Sequence, residues 1–127
     1  MQQKDLFEYA VIRLVPRVER EEFLNVGVVL YCARQRFLQV VYSLDIARLQ
    51  AFSPELDIDE VRAYLCAFDH ICSGSAAGGS IAALPLAERF RWLTATRSTV
   101  VQTSKVHPGF CTDPQEMLQR MYLQLVL

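Results

Sequence analysis

Apolar residues fill both alternating faces of the segment Phe7–Val15, with Tyr9, Val11 and Val15 on one side and Ala10, Ile12 and Leu14 on the other. That is the pattern of a central strand covered on both faces. Arg13 interrupts the first face, where an unpaired charge is costly, so it must reach a carboxylate, a carbonyl cluster, a ligand or solvent. Pro16 ends the strand, since it has no N–H for a ladder. The charged stretch Arg17–Glu22 then leads through Phe23-Leu24-Asn25-Val26-Gly27 into a second continuous apolar strand that runs to Cys32. A polar turn, Ala33–Arg36, joins it to a third strand, Phe37–Tyr42, and so short a connection makes the pair an antiparallel hairpin.

Beyond Ser43, the expected cap of a helix over Leu44–Phe52, the period changes. Ile58, Val61, Leu65, Phe68 and Cys72 recur at helical spacing, with Asp57 as cap and Glu60 completing a capping box. At about 100° per residue, Asp59, Cys66 and His70 fall opposite that stripe and face water or a partner. Ser73–Ser80, rich in Gly, Ser and Ala, reads as a flexible loop inside the domain. Pro85 fits a first helical position, with Leu86, Phe90 and Leu93 turned inward and Arg89 and Arg91 leaving the core. The β-branched content of Arg97–Val106 suggests a fourth strand, ended by His107-Pro108-Gly109. The last helix starts clearly, with Asp113 as cap, Pro114 next and Glu116 three residues on. Met117, Leu118, Met121, Tyr122, Leu125 and Val126 form its expected buried face. Leu123 and Leu127 lie on the other side, as a frayed terminus or a contact with another chain. These elements describe a single α+β domain over 1–127. Its antiparallel sheet has three consecutive N-terminal strands plus a later fourth strand, it is covered by helices, and it carries a flexible loop at 73–80.

Composition narrows what such a domain does. Of 127 residues, 52% are hydrophobic, enough for a core and too many for a disordered chain. Thirteen Lys and Arg against fourteen Asp and Glu leave no basic field to hold nucleic acid or anionic lipid. The longest apolar run, Val26–Ala33, is too short to span a bilayer, and no apolar leader opens the sequence. The expectation is a cytoplasmic protein with neither a nucleic-acid nor a membrane partner. In that compartment Cys32, Cys66, Cys72 and Cys111 are thiols, with Cys32 and Cys72 packing as small hydrophobes. Charge is segregated: residues 45–72 carry six acidic side chains and two Arg, while 85–110 carry four basic side chains and one Glu. The plain reading is that these faces complement one another or stay solvated, and the sharper one is a local anion or partner surface. Eleven of the thirteen cations are Arg, which suits bidentate pairing with carboxylates or phosphates.

Several constellations offer chemistry. Gly74-x-x-x-x-Gly79-Ser80 mimics part of a phosphate-binding loop but lacks the Lys and follows a helix, so it reads as a plain loop. Cys66 with His70, and His107 with Cys111, together supply the four ligands of a tetrahedral zinc site, yet the spacing matches no common knuckle. A Cys–His nucleophile on Cys66 or Cys111 lacks an orienting third group, and no pattern calls for a cofactor. The stronger set is Arg13, Glu22, Asn25 and Arg97, polar residues in or beside apolar strands. If the sheet gathers them, two guanidinium groups, a carboxylate and an amide make a pocket for a phosphate or carboxylate. The plainer alternative is an architectural Arg–Glu pair, with Asn25 satisfying turn backbone. Gly27 likewise marks a bulge or the close approach of another element.

Tyr9–Pro16 and Glu22–Tyr31, with Arg97–Ser104, His107 and Asp113-Pro114, resemble an uncharacterised bacterial family, domain of unknown function number three thousand thirty-seven, almost end to end. Lys105 stands where many members carry proline. The resemblance brings no established activity. Members are often encoded beside HipA-like serine/threonine kinases, which implies an accessory or antitoxin-like partner role. The combined reading is a small non-enzymatic binding module that docks on and modulates a larger protein such as a HipA-like kinase, using Asp59, Cys66, His70, Leu123 and Leu127. Its first rival is an enzyme or ligand-binding protein that recognises an anion through Arg13, Glu22, Asn25 and Arg97, with Glu22 as general base. The second is a homodimeric structural protein.

Overall fold

The structure, a computed structural model, describes residues 3–97 and 99–127. β1 (Asp5–Leu14) lies at its centre, antiparallel to β2 (Leu24–Cys32), which in turn pairs with β3 (Phe37–Tyr42) across the expected hairpin. On its other side β1 holds two short antiparallel strands, β4 (Val101–Thr103) beside Ile12–Leu14 and β5 (His107–Cys111) beside Asp5–Tyr9. The strand order is β3-β2-β1-β4, with β5 also on β1.

The fifth strand departs from the sequence reading, which ends pairing at His107-Pro108-Gly109. β1 is 10 residues long and offers a partner to both segments. Ser104 bridges them: its N–H donates to the Val11 carbonyl at 2.8 Å, and its Oγ accepts from the Val11 N–H at 2.9 Å. These bonds set the alternation, so His107, Gly109 and Cys111 bond towards β1 and Pro108, which has no N–H, turns outward. Gly109 sits opposite Phe7, whose ring occupies the place of any Cβ there.

Helices cover both faces of the sheet, as the two-sided pattern of β1 requires. α1 (Ile46–Phe52), α2 (Ile58–Ser73) and α3 (Leu86–Leu93) bring Leu49, Val61, Leu65, Phe68, Phe90 and Leu93 against Ala10, Ile12, Leu14 and Val29. α4 (Pro114–Leu125) packs Leu118, with Val126 just beyond it, against Phe7, Val28, Leu30 and Cys32 on the opposite face. Asp57 accepts from the Glu60 N–H, and Asp113 from the Gln115 and Glu116 N–H groups, as the caps predicted. No described helix is long and apolar enough to cross a membrane.

Four local expectations are corrected. The cap of α1 is Asp45, which accepts from the Arg48 N–H at 3.1 Å, because the Ser43 N–H is still held by the Val26 carbonyl at 2.8 Å. Pro85 takes the cap position of α3. Leu125 is 37% exposed, and Val126, 3% exposed, takes the inward position at the end of α4. Arg89 does not leave the core. Its Nε donates to the Leu84 carbonyl at 2.8 Å, and its Nη1 to those of Ile71 and Cys72 at 3.0 and 3.1 Å. It thereby satisfies carbonyls that the end of α2 leaves without intrahelical partners. Within 73–80 the chain makes a 3-10 turn, Ala76–Gly78, in which the Ala77 N–H donates to the Ser75 hydroxyl at 3.2 Å.

Apart from the largely buried Asp5 carboxylate that meets Arg34, the ion pairs are exposed, and among the described residues none joins the acidic segment 45–72 to the basic segment 85–110. The two segments meet through Arg89 and helix carbonyls instead. Arg89→Met is therefore expected to lower unfolding free energy by about 2 kcal/mol in urea titration, because the Cys72, Ile71 and Leu84 carbonyls lose the guanidinium, with only Ile71 keeping the Gly74 N–H. An unchanged midpoint contradicts this account of the α2–α3 junction.

Candidate functional site

The Pro16 end of β1 is irregular for a definable reason. The register passes from Ile12↔Gly27 to Arg13↔Asn25, so Val26 is an extra residue on β2. Gly27 permits this local geometry, since a Cβ there would stand 2.7 Å from the Val41 carbonyl oxygen and 2.9 Å from the Tyr42 Cβ. Both sequence readings of Gly27, bulge and close approach, hold. The bulge turns Asn25 to the same side as Arg13, and Gln102 of β4 pairs with Arg13 from the other side. A polar row, Asn25–Arg13–Gln102, thus crosses three strands on the α4 side of the sheet. Asn25 Nδ2 donates to the Leu125 carbonyl at 3.1 Å, at the end of α4. A cleft of about 350 Å³ opens at this end of the sheet, lined by Arg13, Glu21, Phe23, Arg97, Gln102 and Thr103 among others.

Arg13 and Arg97 meet this cleft in different electrostatic states. The Arg13 guanidinium lies 4.0 Å from the centre of the Phe23 ring, a cation–π contact. Its Nε is buried without a hydrogen-bond partner, as is Asn25 Oδ1. No carboxylate pairs with Arg13 among the described residues. Arg97 is tied into the frame: Nη1 donates to the Leu93 carbonyl at 3.2 Å, Nη2 to that of Trp92, and the guanidinium lies 4.3 Å from the Trp92 ring centre. Burial lowers its pKa from the ordinary arginine value. The result is an opening with two guanidinium groups, each backed by an aromatic ring.

Three of the four residues singled out in the sequence therefore assemble. Arg13 and Arg97 line the cleft and Asn25 stands beside Arg13, but Glu22 lies elsewhere. It forms an ion pair with Arg20 and lines a separate cleft with Arg17 and Glu55. The reason is Glu21, whose left-handed φ of 57° reverses the chain before β2 and puts Glu21 itself in the arginine cleft. An Arg13–Glu22 pair does not form. The sequence reading also passed over Phe23, Trp92 and Gln102. The signal was present in the aromatic residues flanking the charged stretch and in the lone tryptophan near Arg97, but strand pattern alone does not connect them.

The remaining candidates are dispersed. Asp59, Cys66 and His70 are exposed on the outer side of α2. Leu123 and Leu127, 61% and 66% exposed, lie at the end of α4, across the sheet from α2. His107 packs against the Tyr9 ring at 5.4 Å, and Cys111 is buried in the α4-side core with Cys32. Among the described residues, no three His, Cys, Asp or Glu side chains group as metal ligands. All four cysteines are free thiols. Burial, assisted by nearby Asp69, pushes the Cys72 thiol up to about 12, and burial also raises Cys111, with its neighbour Cys32 adding to the effect.

A family model described as protein of unknown function (DUF3037) matches residues 9–126. No curated protein and no solved structure matches the chain.

Thiol labelling at neutral pH is expected to modify Cys66 quickly and Cys32, Cys72 and Cys111 only as the protein opens. Because Cys72 titrates at about 12 when folded against 9.0 ordinarily, unfolding releases a proton across that window, and stability falls as pH rises above 9.0. Cys72→Ala should flatten the fall, read as urea midpoint against pH. Separately, Arg97→Met should cost about 1–2 kcal/mol through lost carbonyl bonds and ring contact, whereas Arg13→Met should hold stability or raise it. Equal losses in the two variants contradict the unpaired state of Arg13.

Proposed function

The chain belongs to the DUF3037 family of proteins of unknown function, and we propose that it is a non-enzymatic binding module whose Arg13–Arg97 cleft takes an acidic side chain from a partner protein. One observation carries the reading: Arg13 is a half-buried guanidinium with a buried, unpartnered Nε and no carboxylate of its own among the described residues. A buried cation without a counter-charge is costly, and an anion that pairs with it is favoured, which supports a carboxylate as the group recognised. The rim favours a protein as the source of that carboxylate. Phe23 and Trp92 are 46% and 42% exposed beside the two arginines, and Arg with large aromatic residues is the composition that dominates protein-binding energy. Glu21 also lines the cleft, and its charge disfavours a multiply charged anion such as phosphate against a single carboxylate.

The HipA-like kinase implied by the sequence resemblance is the first partner to co-express. Independently of that identity, titration with a short Glu-rich peptide at low salt should move the side-chain N–H resonances of Arg13 and Arg97. Arg13→Gln should weaken peptide binding at least about tenfold while leaving the fold intact, the loss expected for one charge-assisted hydrogen bond in a sheltered site. Peptide affinity that is indifferent to Arg13→Gln sinks the proposal, whatever the kinase does.

A further inference from the structure

The two edges of the sheet are built differently. On the β4–β5 side the ladder is interrupted at Ser104, and Pro108 has no outward N–H to offer. Such interruptions and prolines keep an edge from recruiting another strand. β3 has neither. Phe37-Leu38-Gln39-Val40-Val41-Tyr42 contains no proline and no charge, and its register with β2 is regular. The Ser43 N–H bond to the Val26 carbonyl sets the alternation, so Phe37, Gln39 and Val41 bond to β2 while Leu38, Val40 and Tyr42 direct their backbone groups outward. A cleft of about 450 Å³ lies along this edge, between β3 and the facing sides of α2 and α3.

The edge is also polar along its length. Arg36 stands at its Phe37 end with Arg89 nearby at the end of α2, and Arg36 has no ion-pair or hydrogen-bonded side-chain partner among the described residues. At the Tyr42 end stands Asp45, while Asp69 lies between the two ends, near Tyr42 and lining the same cleft as Arg36 and Arg89. A strand with a basic end and an acidic end complements itself when turned around.

We infer that the β3 edge pairs with β3 of a second copy of this chain, antiparallel about a two-fold axis at Val40, so that one sheet runs through both copies. In that register Leu38 meets Tyr42 of the second copy and Gln39 meets its Val41, cross-strand pairs of the kind that stabilise sheets. Arg36 of each copy arrives beside Asp45 of the other. The contact is isologous and closes on itself, so it ends at a dimer.

Light scattering on the purified protein should read twice 14.5 kDa. Val40→Pro removes an outward N–H that β2 does not use, and Gln39→Lys puts a charge on an exposed edge position. Each should return the mass to that of a monomer without altering far-UV circular dichroism. In the unaltered protein, exchange of the Val40 amide should slow as concentration rises. A wild-type monomer, a dimer that survives both substitutions, or a Val40 amide insensitive to concentration overturns the inference. So does a wild-type monomer whose β3 edge is filled by a strand of another protein, a complex that the same substitutions would abolish. The edge and the arginine cleft fail separately: Arg13→Gln should leave the dimer whole, and Gln39→Lys should leave Glu-rich peptide binding unchanged.

Discussion

A single strand makes hydrogen bonds to three others, and the rest of the molecule is arranged around that fact. β1 is bonded along both edges and covered on both faces, so each of its middle residues is committed to a neighbour. Its ends manage the polar residues by local means: Asp5 meets Arg34 and Gln35 of the β2–β3 turn, and Gln35 also holds the Thr112 carbonyl. Arg13 has no such arrangement. The tight approach of β2 and β3 at Gly27 throws a bulge into β2, the bulge brings Asn25 level with Arg13, and Asn25 engages the end of α4. The cleft is a consequence of how the central strand has to be paired.

Three arginines show how burial decides what a guanidinium does. Arg89 and Arg97 both donate to carbonyls at helix ends, where the backbone has acceptors to spare and the helix dipole favours a cation. Each is consumed by the architecture. Arg13 projects from a strand, where carbonyls are already engaged in ladders, and it finds only the face of Phe23. An unmet buried donor costs on the order of 1–3 kcal/mol, a cost that burial of Ile12, Leu14 and Val101 on the opposite face of the sheet can offset.

Much of this was legible in the sequence because local rules and tertiary structure agree. β1 to β3 announce themselves by uninterrupted apolar alternation and a short polar turn, and α2 and α4 by aspartate caps at the right distance from their apolar stripes. β5 was illegible because Pro108 and Gly109 argue against a strand; only the length of β1, which leaves Asp5–Tyr9 unpaired after β4, makes room for it. Arg89 was read as outward because helical periodicity says which way a side chain leaves its own helix and nothing about a neighbour's terminal carbonyls. In the site, Arg13, Asn25 and Arg97 stood out as polar residues among apolar ones. Glu22 misled because alternation assumes an unbroken strand, and the left-handed turn at Glu21 breaks it.

The arginine that closes α2 has a consequence for motion. Its three acceptors belong to α2 and to Leu84, before the Pro85 cap of α3, while the side chain itself belongs to α3. When α3 detaches from the sheet, the end of α2 loses the guanidinium that meets its Ile71 and Cys72 carbonyls, and when α2 frays, α3 loses its anchor. Neither helix can breathe alone, so the α2–α3 hairpin is a single cooperative unit of opening, laid over one face of a sheet whose other face is held independently by α4.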